Sequence, residues 1–285
     1  MSDIATIKPY LELMRLHRPI GTFLLLWPTL IALWLASDGT PRFKTLLIFV
    51  LGVVIMRAAG CVINDFADRN IDPYVPRTKT RPLAKKVITE KEALRLFLLL
   101  LAVAFVLALL LKTQAILLST VAVLLAIIYP FAKRYTNYPQ FILGLAFSWS
   151  IPMAYAQVQG GMSSETWLLY VSTMLWVVAY DTQYAMVDKR YDLKIGVKST
   201  AIAFGNYDKI IIFCLQLLFL LGLIIIGVDK DLNHSYFVGL LIALGLAIYQ
   251  QWLIRDSEPE NCFAAFLNNN YIGAIIFCGL LFGLK

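Results

Sequence analysis

Leu46-Leu47-Ile48-Phe49-Val50-Leu51-Gly52-Val53-Val54-Ile55-Met56-Arg57-Ala58-Ala59-Gly60-Cys61-Val62-Ile63-Asn64-Asp65-Phe66-Ala67-Asp68-Arg69-Asn70-Ile71-Asp72 is the stretch on which the reading of this chain turns. A helix needs about 20 mostly apolar residues to cross the hydrocarbon core of a bilayer. The first part supplies them, and it ends abruptly in three aspartates. A second run repeats the pattern and ends in Asp181-Thr182-Gln183-Tyr184-Ala185-Met186-Val187-Asp188-Lys189-Arg190-Tyr191-Asp192. Ionised carboxylates beside a bilayer are costly, so two such clusters ask for a functional reason.

On helices, Asp65, Asp68 and Asp72 would fall within an arc of ~60°, and Asp181, Asp188 and Asp192 within ~40°. Like charges stacked on one face destabilise a bare helix. Something positive is therefore expected between them, and a hard divalent cation with oxygen ligands is the simplest candidate.

The whole chain conforms to the membrane reading. It has 285 residues, 60% of them hydrophobic, and a mean hydropathy of +0.73, well beyond a soluble domain. About nine apolar segments are predicted, near 20–37, 43–63, 92–112, 114–132, 139–158, 165–187, 209–228, 235–254 and 267–284. They must be helices, because every backbone polar group in lipid has to be satisfied internally. The expected fold class is all-α and polytopic, with residues 1–285 forming a single transmembrane domain. Met1 to His17 is polar and lacks the pattern of a cleaved signal peptide, so it reads as an interfacial stretch. Pro19 and Pro28 should start or bend the first span, and Pro73, Pro76 and Pro82 should break the helix that carries the first cluster.

The net charge of +7 is unevenly placed. Lys8, Arg15 and Arg18 precede the first span, and Arg69, Arg77, Lys79, Arg81, Lys85, Lys86 and Lys91 follow the second. Lys133 and Arg134 follow the fourth; Lys189, Arg190, Lys194, Lys198 and Lys209 follow the sixth. The other side carries only Arg42, Lys44, Lys112, Lys230 and Lys285. By the positive-inside rule both aspartate clusters face the cytoplasm. With no soluble domain to carry it, nucleic-acid binding is excluded, and the basic loops read as topology signals and attractors of anionic lipid. Cys61, Cys214, Cys262 and Cys278 are dispersed and have no metal-type spacing; His17 and His234 are too far apart to share an ion.

Mg²⁺ commonly binds through one or two carboxylates plus substrate phosphates. Two facing clusters would suit ions bridging a diphosphate, with Asp65, Asp68 and Asp72 on one, Asp188 and Asp192 on the other, and Asn64 adding a neutral oxygen. Arg77, Arg81, Arg134 and Lys198 stand where they could grip phosphate oxygens. Aromatic rings, Tyr129 among them with Phe147, Trp149, Tyr155, Trp176, Tyr180 and Tyr184, could shield an allylic cation, although most such rings are packing or interface residues. Arg57 lies inside the second span, and at that depth it should pair with an aspartate or bind an anionic substrate. Asp181, deeper than its two companions, could orient or deprotonate an acceptor instead of holding metal. A cation-coupled transporter also explains acidic residues at span ends, though its acids usually sit nearer mid-membrane.

Asn64-Asp65-x-x-Asp68-Arg69-x-x-Asp72, followed by Val75-x-Arg77-Thr78-x-x-Arg81-Pro82-Leu83, resembles the first signature of the UbiA intramembrane prenyltransferases. Tyr180-Asp181-Thr182-x-Tyr184-Ala185-x-x-Asp188-x-x-x-Asp192 resembles the second. Arg15-Leu16-His17-Arg18-Pro19-Ile20-Gly21, Leu26-Trp27-Pro28-Thr29, Lys133-Arg134-Tyr135-Thr136, Ser148-Trp149-Ser150-Ile151-Pro152-Met153-Ala154, Ile195-Gly196-x-Lys198-Ser199-Thr200 and Asn268-Asn269-Asn270-Tyr271 are similar to the branch acting on 4-hydroxybenzoate. The resemblance implies nine helices around a central cavity open to the cytoplasm, in a bacterial inner membrane. It also implies Mg²⁺ dependence and, as substrates, polyprenyl diphosphate and 4-hydroxybenzoate in ubiquinone biosynthesis. Another aromatic acceptor is the nearer alternative and a transporter the more distant one. One departure stands out: Lys189-Arg190-Tyr191 occupies a stretch that is often acidic in this branch, which limits the expected ligands there to Asp188 and Asp192.

Overall fold

All regular structure among the described residues is helical. The computed structural model describes residues 2–75 and 77–284, apart from the side chains of residues 2–6. Met1, Pro76 and Lys285, which entered the sequence reading, lie outside the described residues. In chain order the helices are α1 (Ser2–Leu13), α2 (Ile20–Ala36), α3 (Phe43–Asp68), α4 (Glu90–Ala108), α5 (Thr113–Tyr135) and α6 (Pro139–Ser148). They continue with α7 (Ser150–Gln159), α8 (Ser164–Ile195), α9 (Thr200–Ala203), α10 (Asp208–Asp229), α11 (His234–Ile254) and α12 (Pro259–Gly283).

Six helical stretches among the described residues are long and apolar enough to cross a membrane: Phe43–Asp68, Thr113–Tyr135, Pro139–Gln159, Gly205–Asp229, His234–Ile254 and Pro259–Gly283. The other three expected spans are helical as well. However, α2 has only 17 residues, α4 opens on Glu90, Lys91 and Glu92, and α8 carries the second aspartate cluster. The segment expected as one helix over 139–158 is broken at Trp149. Pro152 has no N–H to give the carbonyl four residues back, at Ser148, so the α-helical ladder is interrupted there.

Capping explains where the polar-ended helices begin. Thr89 and Glu92 form a reciprocal box on α4, as Ser163 and Thr166 do on α8, satisfying orphan N–H groups. Helix α8 stops at Gly196, which takes the left-handed conformation at φ 72° that glycine adopts without penalty.

The first cluster departs from the single-face expectation. Helix α3 ends at Asp68, and Asp72 begins a short 3-10 turn, Asp72–Tyr74. Pro73 disfavours the α conformation at the residue before it, so Asp72 leaves the face shared by Asp65 and Asp68. The second cluster keeps one helix, because α8 runs unbroken through Asp181, Asp188 and Asp192.

Helix α8 is the central post, packed against α6, α10 and α12. Trp176, Tyr155, Tyr180, Ile151 and Leu223 are nearly inaccessible at its flanks. A buried amide network binds four helices together. Gln183 and Gln216 both donate to Gln250 Oε1, at 2.9 and 2.6 Å. Gln250 donates to Asn268 at 2.9 Å, and Asn269 donates to Gln183 at 2.8 Å. In an apolar surround such side-chain bonds hold helices in register. Asn268 and Asn269 thus act between helices rather than as caps, since α12 starts earlier, at Pro259.

Helices α11 and α12 meet at glycines. A Cβ on Gly239 would stand 3.1 Å from Gly279 Cα and 3.2 Å from the Ile275 carbonyl oxygen. These neighbours are backbone and cannot swing aside, so small residues permit the close approach. Gly279→Leu is expected to cost about 1–3 kcal/mol by overpacking, seen as a lower Tm in detergent. Gly245→Ala, where a Cβ meets nothing within 4 Å, should leave Tm unchanged or raise it slightly, since alanine loses less conformational freedom in a helix.

At one end of the bundle the short loops tie together. Lys230 pairs with Asp38 at 2.8 Å and lies 3.6 Å from Glu165. The aspartate clusters lie at the other end.

Candidate active site

A cavity of about 1340 Å³ runs into the bundle, lined from α2 to α8 and by the start of α12. Asn64, Asp65, Asp68, Asp181, Asp188 and Asp192 all line it. The expectation that the two clusters face each other across one space is met by these five aspartates. Another part of the wall is apolar, with Leu24, Phe49, Leu101, Phe105 and Leu124.

Basic side chains interleave with the acids. Asp65 is 1% exposed, and its Oδ1 accepts from Arg15 Nη2 at 2.7 Å and lies 3.0 Å from Arg81 Nη1. The same Arg81 nitrogen donates to Asp72 Oδ2 at 2.8 Å. Asp72 is buried but is not on the cavity wall; it stands behind Arg81 and anchors it. Lys133 donates to Asp68 Oδ2, and Asn64 Nδ2 lies 3.5 Å from that oxygen. Across the cavity Arg77 donates to Asp188 and to the Tyr184 hydroxyl, with its guanidinium 4.6 Å from the Tyr184 ring centroid. Cation and ring attract through the ring quadrupole.

Burial and neighbouring charge tune these groups. Burial raises the pKa of Asp72 above the usual carboxylate range, against the pull of Arg81 and with help from Asp68 and Asp65. Asp192, beyond the apolar part of α8, is pushed up to about 6 by burial and then by Asp188. For Arg77, burial favours the neutral form, but Tyr184 and Asp188 outweigh it and the net shift is upward. Arg15 is likewise raised: burial pushes it down, and Asp65, Cys61 and Tyr184 together outweigh burial.

Two predicted phosphate contacts differ in placement. Lys198 lines the cavity, its Nζ 3.4 Å from the Tyr135 carbonyl. Arg134 turns away, donating to the Ala67 carbonyl and lying over Phe131. Its neighbour Lys133 takes the place on the wall. Helical rotation of ~100° per residue separates the two, and only packing decides which one points inward. Arg15 and Lys133 are the acid partners that motif spacing did not single out. Both adjoin quoted motifs, and their basic charge was the available signal.

Arg57 lines the cavity, and among the described residues it forms no ion pair. Its guanidinium lies 5.7 Å from the Phe147 ring centroid. Asp181, 9% exposed, is also without an ion pair among the described residues and feels the charges of Arg57 and Lys133. The Tyr180 hydroxyl is buried with no partner. Tyr129, Phe147, Tyr180 and Tyr184 line the cavity. Trp149, Tyr155 and Trp176 serve packing instead: Trp149 donates to the Leu118 carbonyl, Tyr155 to Glu165, and Trp176 stacks on Phe219. Lys189 of the departing stretch points elsewhere, to Asp208 at 2.8 Å and the Gly205 carbonyl at 3.1 Å.

Among the described residues, no three acidic, His or Cys side chains form a ready cation cage, since arginines and a lysine stand between the acids. The donor set nonetheless fits a hard divalent ion. Asp68 Oδ1 is buried with no hydrogen-bond partner, and the surrounding donors are carboxylate and amide oxygens, the ligands Mg²⁺ prefers.

Comparisons with known proteins agree with this geometry. A 4-hydroxybenzoate octaprenyltransferase of Photobacterium profundum is 58% identical over 280 residues, spanning 98% of each chain. One from Aliivibrio fischeri (strain MJ11) is 55% identical over 278 residues, spanning 98% of this chain and 97% of its own. The apo structure of a UbiA homolog from Aeropyrum pernix K1 superposes with a TM-score of 0.80 at 25% identity, over 90% of this chain and 96% of that one. The model of the UbiA prenyltransferase family matches residues 25–273, and the chain belongs to that family.

Proposed function

We propose that this protein transfers a polyprenyl group from polyprenyl diphosphate to 4-hydroxybenzoate, at the ring carbon ortho to the hydroxyl, releasing diphosphate, as a step of ubiquinone biosynthesis. The observation that carries the reading is the single cavity that joins an acid- and arginine-lined end to a long apolar wall. A prenyl diphosphate has the same two-part character. The near full-length similarity to 4-hydroxybenzoate octaprenyltransferases supports the choice of acceptor.

Residues 1–285 act as one domain of nine membrane-spanning segments in the bacterial inner membrane, with the charged end of the cavity toward the cytoplasm. The loop-charge asymmetry supports that orientation.

Asp65 and Asp68, with Asp72 behind them, would hold one Mg²⁺, and Asp188 and Asp192 a second. Bound Mg²⁺ supplies charge neutralisation on the departing diphosphate. A relative from Archaeoglobus fulgidus, 17% identical, has been solved with GPP and Mg²⁺, which supports this assignment.

The chain's own residues do the rest. Arg77, Arg81, Lys133 and Lys198 bind the diphosphate oxygens and stabilise the charge that builds there. Arg134 braces the end of α3 through the Ala67 carbonyl and adds to the positive field. Arg57 binds the acceptor carboxylate. Asp181 orients the phenolic hydroxyl and draws its proton; once the ring carbon is bonded to the prenyl carbon it loses its own proton, which restores aromaticity, and the oxygen regains one to give the phenol. Tyr129 and Phe147 present ring faces to the allylic carbon as positive charge develops. The apolar wall excludes water and keeps the two reactants together.

Purified protein, Mg²⁺, polyprenyl diphosphates of several lengths and a panel of aromatic acids test the reading. The expected outcome is stoichiometric diphosphate and 3-polyprenyl-4-hydroxybenzoate, with chelation of Mg²⁺ stopping both. No prenylated product with any acceptor would overturn it and restore the transporter alternative.

A further inference from the structure

Arg57 projects from α3 across the cavity wall toward α2, where it meets Gly21. A Cβ built on Gly21 would stand 2.5 Å from Arg57 Nε and 2.6 Å from Cζ, inside any permissible contact. The guanidinium therefore lies against the bare backbone of α2, with the Phe147 ring of α6 also close. Backbone conformation does not explain a glycine here. Gly21 is in the first turn of α2 and is not among the residues with positive φ. Glycine in a helix loses more conformational freedom on folding than alanine does, so space for Arg57 accounts for its presence. Nor does an acid hold the guanidinium in place, since Arg57 has no ion pair among the described residues. An arginine at this depth calls for an anionic partner; Asp181 reaches it only as a charge beyond ion-pair distance, and the shape around the guanidinium sets its seat.

We propose that Gly21 is a specificity-determining, positioning residue of the acceptor pocket: its missing side chain seats the Arg57 guanidinium where it meets the acceptor's carboxylate. The inference rests on the acceptor reading of Arg57 given above. A methyl group at position 21 displaces the guanidinium, because that is the free end of a flexible side chain and moves before the backbone does. The fold and the diphosphate end of the cavity are left in place.

The test is a double-mutant cycle on the purified full-length protein, reading 4-hydroxybenzoate Kd by calorimetry and KM by turnover. Gly21→Ala is expected to raise both by about tenfold or more, since small misplacements of a positioning group carry such effects. The KM for polyprenyl diphosphate should stay within about threefold, and Tm should hold. In an Arg57→Ala background the same substitution should change nothing further, because coupled residues are not additive. Gly21→Ala with unchanged 4-hydroxybenzoate affinity, or with an equal loss whether or not Arg57 is present, would overturn the inference while leaving the Arg57 reading intact. Full affinity in Arg57→Ala alone would instead sink the acceptor reading, and the inference with it. Should Gly21→Ala fail to accumulate, Phe147→Leu alters the other surface beside the guanidinium and is read in the same cycle: a loss confined to the Arg57 background supports seating by shape, and no loss overturns it.

Discussion

Replacing Asp68 with Asn is expected to lower kcat by about 10²–10³-fold, the usual cost of removing one charged group that stabilises a transition state. The substitution keeps the shape of the side chain. It removes the charge that Lys133 pairs with and the anionic character of Oδ1, the buried oxygen without a hydrogen-bond partner. Breaking a buried ion pair costs about 3–5 kcal/mol when the remaining charge is stranded. Lys133 keeps 23% side-chain exposure, so water screens part of that loss and the protein should still fold. Diphosphate release at saturating substrates, beside Tm in detergent, separates the two effects. Activity within about threefold of the parent protein at unchanged Tm would remove Asp68 from the machinery.

Arg57→Ala should act on one substrate only. Truncating one partner of a desolvated charge pair costs about 2–5 kcal/mol, so the KM for 4-hydroxybenzoate should rise at least about 30-fold, given tenfold per 1.36 kcal/mol. Arg57 makes no ion pair among the described residues, so its removal breaks no direct contact, although Asp181 loses one of the two positive charges it feels and keeps that of Lys133. The KM for polyprenyl diphosphate, whose proposed contacts Arg77, Arg81 and Lys133 are at least twenty residues away in sequence, should not move. Initial-rate kinetics with each substrate varied in turn measure the contrast. Equal rises in both constants would mean a general disturbance of the cavity and would dismiss the selective role.

Much of this molecule is legible in one dimension. Asp181, Asp188 and Asp192 could be placed on one face because α8 has no proline or glycine between Ser164 and Ile195, so helical periodicity carries over. The first cluster could not be read to the same depth. Pro73 announced a break, but only the folded chain shows that α3 stops at Asp68 and that Asp72 turns back to hold Arg81. Likewise Lys133 and Arg134 are equal candidates on paper, and the packing of α5 against α3 turns Lys133 toward Asp68 and Arg134 toward the Ala67 carbonyl. Arg15 reaches Asp65 from fifty residues upstream, a pairing no local pattern encodes.

By itself the sequence determined that this is a helical membrane protein with two acidic clusters among basic loops. Bilayer thickness, backbone hydrogen bonding and the cost of charge in lipid act on short stretches of chain, and composition and periodicity record them. Only the tertiary structure decided which cation answers which aspartate, that Arg57 lines the cavity with no ion pair among the described residues, and that Gly21 makes room for its guanidinium. Those outcomes depend on which helix faces meet, and that is set by side-chain volumes from segments far apart in the chain.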